Sequence, residues 1–325
     1  MAGGCIAFFP TERVIFMKLY QRKENDPSPI AQADPYILKA KDGRYYVYTS
    51  GGYLISSDQL FSGWQYHGVC LDMPDQKMCW APCVVEWDEQ YMMYYSSLDQ
   101  DSNDPHNQRL RVAQAESSRG PFHYVKDLLP PFSIDPHMVQ NASGLYMFYS
   151  GNDYMAKRAG TLILCDKMTN PYTLEGNPVC VARPTLDEEI FEKNRFGNHK
   201  NWHTVEGAFY FHKDNTHFLM YSGACYQNQS YYIGYYTAHG TQDADLRTLP
   251  WKKYPNENTY YSVMNKANGF VEGMGHNSVL YENGKYYIIY HGRDIGSRSD
   301  TQDTRCARID ELMVNGDRLS AEVTP

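Results

Sequence analysis

The chain has 325 residues, 42% of them hydrophobic and 14% aromatic, with 29 tyrosines and a formal net charge of −8. That hydrophobic fraction supports a large core, and the length suits one large all-β domain or two ordinary ones. The acidic balance and the lack of a basic run argue against nucleic acid as a partner, and no apolar stretch approaches the roughly 20 residues of a membrane-spanning helix.

At the start of the chain, Pro10, Glu12 and Arg13 interrupt a short apolar stretch that no basic segment precedes. This does not make an export signal. Met17 opens a more ordinary start, and residues 1–16 are expected to be an extension with no part in the fold. The eight cysteines include no Cys-x-x-Cys pair, which argues against zinc. Scattered thiols in a chain of this size fit a reducing compartment, and a cytoplasmic location is expected.

From residue 34 onward one pattern recurs five times. A turn-like start leads into a β-rich hairpin: Asp34–Leu38 into Tyr45–Ser50, Ala81–Val85 into Tyr91–Ser96, Asp135–Val139 into Leu145–Ser150, Glu206–Tyr210 into His217–Ser222, and His276–Leu280 into Lys285–Tyr290. Further strands follow at Tyr53–Ser57, Leu110–Gln114, Thr161–Leu164 and Tyr231–Tyr235, with outer ones at Trp64–Tyr66, Phe122–Tyr124 and Trp251–Tyr254. The last copy continues in Arg305–Ile309 and Glu311–Val314. Gly, Asp, Asn and Ser turns join these runs, and long helical periodicity is absent.

Repeats are separated by 47, 54, 71 and 70 residues, against the roughly 40–50 residues of a four-stranded propeller blade. The longer separations imply insertions around Asp187–His203 and Tyr254–Gly275. The expected fold is therefore all-β: a five-bladed β-propeller of four-stranded antiparallel blades around a central channel, with residues 1–325 as one domain. The segment Phe16–Tyr20 is expected to add a strand to the last blade and close the ring.

First strands line the channel, so the residues that open the five copies converge. They are Asp34, Ala81, Asp135, Glu206 and His276. Three carboxyls in one small space repel one another, which raises at least one pKa and keeps that acid protonated at neutral pH. Asp-Pro alone is a common turn dipeptide; the weight comes from three acids at corresponding places of a repeat.

The motifs Ala33-Asp34-Pro35-Tyr36, Trp80-Ala81-Pro82, Ile134-Asp135-Pro136, Val205-Glu206-Gly207 and Gly275-His276-Asn277-Ser278 together resemble glycoside hydrolase family 43, from about Ala33 to Arg308. The resemblance implies Asp34 as general base, Glu206 as general acid, and Asp135 as the residue that orients the acid and adjusts its pKa. It also implies inverting hydrolysis of a small oligosaccharide with no required cofactor. A structural calcium in the channel, contacted by His276 through water, is the one ion it admits, although no dense carboxylate loop is present.

Apolar sugar faces stack on aromatic rings, so Trp80 and Trp202, next to the acids, and Tyr226 are expected to bind substrate together with His276. Arg305 resembles the family's late arginine, with Arg293 as its rival. No Gly-x-Ser-x-Gly elbow, phosphate-binding glycine loop or His-Glu-x-x-His helix occurs. The expected activity is release of terminal pentose, first α-L-arabinofuranose, then as a β-D-xylosidase, then as an endo-arabinanase. A sugar-binding propeller without catalysis is the alternative from another class.

Overall fold

Aromatic and β-branched runs separated by Asn, Asp and Gly turns pair locally into hairpins. The turn at Asn283-Gly284 shows the cause, since both residues have positive φ, +51° and +81°, the geometry that matches the twist of the flanking strands. The computed structural model describes residues 18–21, 23 and 32–325; the expected extension at residues 1–16 lies outside them.

Blade one is a meander of β1 (Tyr36–Lys39), β2 (Tyr45–Thr49), β3 (Tyr53–Ser57) and β4 (Gln65–Val69). Blade two comprises β5 (Leu71–Asp72), β6 (Gln76–Trp87), β7 (Gln90–Asp99), β8 (Arg109–Ala115) and β9 (Phe122–Asp127), with β5 parallel to β9 on the outer edge. In blade three, β10 (Ile134–Asn141), β11 (Gly144–Asp153) and β12 (Gly160–Asn170) carry two edge pieces, β13 (Thr173–Leu174) and β14 (Val179–Ala182). Blade four holds β15 (Ile190–Glu192), β16 (Trp202–Lys213), β17 (Thr216–Gly223), β18 (Tyr232–His239) and β19 (Lys252–Lys253). Blade five is β20 (Val271–Glu282), β21 (Lys285–Asp294), β22 (Cys306–Asn315) and β23 (Arg318–Ser320). The first full strands, β1, β6, β10, β16 and β20, touch in that order, and β20 returns to β1. The result is the expected closed propeller of five blades. No helix among the described residues is long and apolar enough to cross a membrane.

The tyrosines explain how flat blades pack. Tyr46, Tyr48, Tyr94, Tyr95, Tyr146, Tyr221, Tyr232, Tyr235 and Tyr290 are fully buried, and burying each ring contributes on the order of 1.5–3 kcal/mol. Their hydroxyls then need partners, and several find them on the next blade. Tyr48 donates to the Ser118 carbonyl at 2.6 Å, Tyr94 to Pro171 at 2.9 Å and Tyr235 to Asp317 at 2.9 Å.

Of the segment expected to add a strand, Phe16 and Met17 lie outside the described residues, and the rest meets the last blade by a single bridge instead of a strand. Lys18 forms an antiparallel bridge with Arg308 of β22, and the Leu19 amide donates to the Ala307 carbonyl at 2.9 Å. Another detail differs. Residues 305–309 and 311–314 do not belong to two strands; all but Arg305 lie in the single strand β22, and β23 forms the edge. Asp310, which looks like a turn residue, is buried inside that strand, where its carboxylate accepts from Tyr290 Oη at 2.7 Å and Thr324 Oγ1 at 2.6 Å.

The insertion around residues 187–203 is clamped to blade four by a buried ion pair. Lys253 Nζ lies 2.6 Å from Glu189 Oε1, both side chains essentially inaccessible. Glu189 also accepts from the Thr185 and Leu186 amides at 2.7 and 2.8 Å and from Tyr221 Oη at 3.1 Å. Removing one partner of such a pair strands a buried charge. Lys253→Met is expected to cost about 3–5 kcal/mol in urea unfolding, and adding Glu189→Gln to restore a large part of it. Equal stability of the single and double variants would contradict this assignment.

Candidate active site

Four of the five inner strands carry the same irregularity. Register breaks occur between Trp80 and Cys83, Ile134 and His137, Glu206 and Phe209, and Gly275 and Ser278. A bulge of this kind re-aims the side chains around it. The residue in it adopts the left-handed region: Ala81 at φ +44°, Asp135 at +56°, Gly207 at +63° and His276 at +45°, with Asp34 at +55° ahead of β1. A non-glycine residue there costs about 1–3 kcal/mol unless its surroundings hold it. At Ala81, His276 and Asp34 the preceding blade supplies the hold. The Ala81 amide donates to Ser50 Oγ at 2.9 Å, the His276 amide to Ser222 Oγ at 2.6 Å, and the Asp34 amide to His291 Nδ1 at 3.0 Å.

This geometry corrects one expectation. The three acids do not share one position of the repeat. In blade four the bulge residue is Gly207, and Glu206 stands one place earlier, opposite Ser222, as Trp80 stands opposite Ser96 and Ile134 opposite Ser150. The span from Asp34 to Ser50 is one residue longer than the matching spans from Ala81 to Ser96, Asp135 to Ser150, Gly207 to Ser222 and His276 to His291, so counting back from the second strand aligns Glu206 with Asp34 by coincidence. The glycine has its own reason. A Cβ on Gly207 would lie 3.1 Å from His276 Nδ1, so the ring of the fifth blade rests on bare backbone beside the acid.

Asp34 sits among cations and donors. Its Oδ1 lies 3.3 Å from His291 Nδ1, 3.4 Å from His276 Nδ1 and 3.5 Å from Arg305 Nη1, and Oδ2 accepts from Ser50 Oγ. Burial opposes its charge, yet His276 and Arg305 override that and hold the carboxyl well below the usual range. Burial pushes the His291 imidazole down to about 4. The neutral ring accepts the Asp34 amide at Nδ1, so that nitrogen does not also donate to the carboxylate.

The other two acids are shifted the opposite way. Burial pushes Glu206 up to about 7, against a hydrogen bond from Tyr231 Oη to Oε1 at 2.9 Å and with the help of the Asp34 charge. Burial also pushes Asp135 up to about 7, with His276 opposing and Glu206 assisting. Asp135 Oδ2 accepts from the Gly207 amide at 3.1 Å and from Ser150 Oγ at 3.4 Å, so it grips the backbone that carries Glu206. Burial, more than a charge on Asp135, keeps the proton on Glu206.

The flanking residues divide. Arg305 is held by Asp303, with Nη2 at 2.6 Å from Oδ2, and its guanidinium lies 4.8 Å from the centre of the Tyr226 ring. Tyr226 is half-buried. Arg293, the rival, is buried and donates to the Tyr226 carbonyl at 2.9 Å; it supports the loop, while Arg305 reaches Asp34. Trp80 is half-buried beside Ala81. Trp202 is buried beneath Tyr154 and Phe196, with ring centroids 5.1 and 5.6 Å away, so the exposed rings above it, and not Trp202 itself, face outward. His276 contacts Asp34. Among the described residues no three His, Cys, Asp or Glu side chains are grouped to hold a metal. One imidazole is a poor match for calcium, which takes oxygen ligands, and nothing below depends on an ion.

Several contributors were not singled out from sequence. His291 replaces, in the fifth copy, the serine that closes the hairpin in the other four; that departure was a readable signal. Tyr231 looks like any core tyrosine. Its ring stacks on His291, centroids 5.6 Å apart and 5° from parallel. A Cβ at Gly275 would overlap that ring at 1.9 Å, so glycine there lets Tyr231 reach Glu206.

A propeller whose inner strands bring together one ionised and two protonatable carboxyls has the layout of a glycosidase. The chain belongs to glycosyl hydrolases family 43, whose family model matches residues 27–318. A thermostable family-43 glycoside hydrolase has a similar structure, with TM-score 0.73 and 26% identity over 91% of this chain and 95% of that one. The α-L-arabinofuranosidase of Lactobacillus brevis gives 0.72 and 20% over 97% of both chains. A family-43 β-xylosidase/α-arabinofuranosidase from a compost microbial metagenome, in complex with xylotriose and calcium-free, gives 0.64 and 20% over 91% of this chain and 96% of that one. No curated protein matches the chain.

Because the Tyr231 hydroxyl favours the charged form of Glu206, Tyr231→Phe is expected to move the alkaline limb of kcat/KM upward, by up to about one pH unit. A limb that stays in place or moves down would show that this hydroxyl does not act on the acid.

Proposed function

We propose that the protein is an inverting α-L-arabinofuranosidase that releases terminal pentose from arabinose- or xylose-containing oligosaccharides. The observation that carries this reading is the opposite bias of two carboxyls in one cluster: Asp34 is held ionised and Glu206 is held protonated. Inverting hydrolysis needs that division, a base for water on one face of the sugar and an acid for the leaving oxygen on the other.

Asp34 Oδ1 or Oδ2 takes a proton from water as the water oxygen bonds to the anomeric carbon. The glycosidic C–O bond breaks, and Glu206 gives its proton to the departing oxygen. Asp135 positions Glu206 through the Gly207 amide. Arg305 keeps Asp34 charged and lies against Tyr226 at the site's edge. The preference for arabinofuranosides is supported by the arabinofuranosidase activities named for two of the relatives above. β-D-Xylosidase activity is the second reading, favoured by the relative that holds xylotriose.

The pH profile follows from the signs. Activity requires protonated Glu206 and ionised Asp34, so kcat/KM is expected to fall as pH rises through about 7 and to hold on the acid side until below the ordinary carboxylate range. Glu206→Gln is expected to lower kcat/KM about 10²–10⁴-fold on natural glycosides and much less on aryl glycosides, whose leaving group needs no proton. Asp34→Asn should abolish turnover of both. Proton NMR of the first-formed sugar tests stereochemistry; retained configuration would sink the general-base role of Asp34.

A further inference from the structure

The insertion around residues 187–203 and the β11–β12 loop lay an unbroken run of aromatic and cationic groups away from the catalytic base. Arg305, which touches Asp34, lies over Tyr226, and the Tyr226 ring is 6.3 Å from that of Phe191. The Arg195 guanidinium sits 5.1 Å from the Phe191 ring, 5.9 Å from Phe196 and 5.8 Å from Trp202. Tyr154 closes the run, 6.4 Å from Phe196 and resting on Trp202.

Two features separate this strip from ordinary surface. Phe196 and Tyr154 are 54% and 53% exposed, although both are anchored edge-on or tilted against a buried tryptophan. Large apolar groups grouped at a surface mark an interaction site more often than scattered single ones do. Arg195 is fixed among three rings and by Glu192, 3.2 Å away, which leaves a cation with directed donors between aromatic faces. A sugar presents that same alternation, one apolar C–H face and a rim of hydroxyls.

We infer that this strip binds the part of a pentose oligosaccharide beyond the scissile bond, so that the protein selects chains over single glycosides. The inference rests on the glycosidase reading above, and it adds a specificity determinant in the insertion. The occupant is a neutral oligosaccharide because the strip is continuous with the site that cleaves one. Binding energy gathered far from the reacting bond is what makes longer substrates better.

The test compares 4-nitrophenyl α-L-arabinofuranoside with pentose tetrasaccharides, for the wild type, Tyr154→Ala, Phe196→Ala and Phe196→Tyr. Each alanine variant is expected to lower kcat/KM on a tetrasaccharide about tenfold, mainly through KM, and to leave the aryl substrate within about twofold. Phe196→Tyr should keep wild-type values. Equal losses on both substrates, or no loss on the tetrasaccharide, would overturn the inference. If the wild type cleaves neither substrate, the glycosidase reading fails by itself, and calorimetric binding of the same tetrasaccharides decides the strip. Affinity lost in the alanine variants upholds it, and unchanged or absent binding overturns it.

Discussion

A backbone amide handed across a blade boundary organises the centre of this molecule. Strand side chains alternate between faces, so a regular inner strand would aim the residues at its start in directions fixed by its register. The bulges break that rule, and at three of the five left-handed residues a side chain of the preceding blade caps the amide. Ser50 caps Ala81, Ser222 caps His276, and His291 caps Asp34. The last of these also closes the ring, since it joins the fifth blade to the first. One interaction therefore both holds the Asp34 backbone and closes the ring, and a change that loosens the blades at His291 disturbs Asp34 directly.

Three carboxyls of similar intrinsic acidity end in different states because their neighbours differ. Asp135 is buried and Asp34 and Glu206 are half-buried, and that desolvation alone would raise each of them. Asp34 escapes because Arg305 and His276 face it. Arg305 is itself secured by Asp303 and by the Tyr226 ring, which leaves its charge committed to the site. Glu206 has one neutral hydroxyl, from Tyr231, too weak to overcome desolvation. Asp135 faces Glu206 and takes backbone and hydroxyl donors. The ring stack of Tyr231 on His291 ties the residue that touches Glu206 to the one that holds Asp34, so both carboxyls are positioned by a single contact between blades four and five.

Most of the fold was legible because a propeller repeats its chemistry. The five hairpins, the outer strands at Trp64–Tyr66 and Trp251–Tyr254 and the two insertions all follow from local pattern, and local pattern decides blade structure. The failures have physical causes. Glu206 seemed to share a slot with Asp34 because the longer span from Asp34 to Ser50 offset the count. Asp310 looked like a strand end because a buried aspartate satisfied by Tyr290 and Thr324 cannot be told from a turn residue in sequence. Trp202 seemed a sugar platform, yet a tryptophan beside an acid serves equally well as the floor under other rings. Tyr231 carried no signal at all, one tyrosine among 29, and only the geometry of Gly275 gives it access to Glu206.

The insertion around residues 187–203 illustrates how a loop becomes part of a site. A surface excursion loses backbone freedom when it orders, and a flexible one would bind sugar weakly because ordering would be charged against affinity. Here the ordering is completed in the folded state. Glu189, at the insertion's root, is locked by Lys253, two amides and the hydroxyls of Tyr221 and Tyr232. Such a buried pair adds little net stability compared with apolar packing, so its value lies in fixing one conformation. From that root β15 pairs with β16, the strand that carries Glu206. The rings of Phe191 and Phe196 are thus registered to Glu206 through a single strand, and the same backbone sets the place of both.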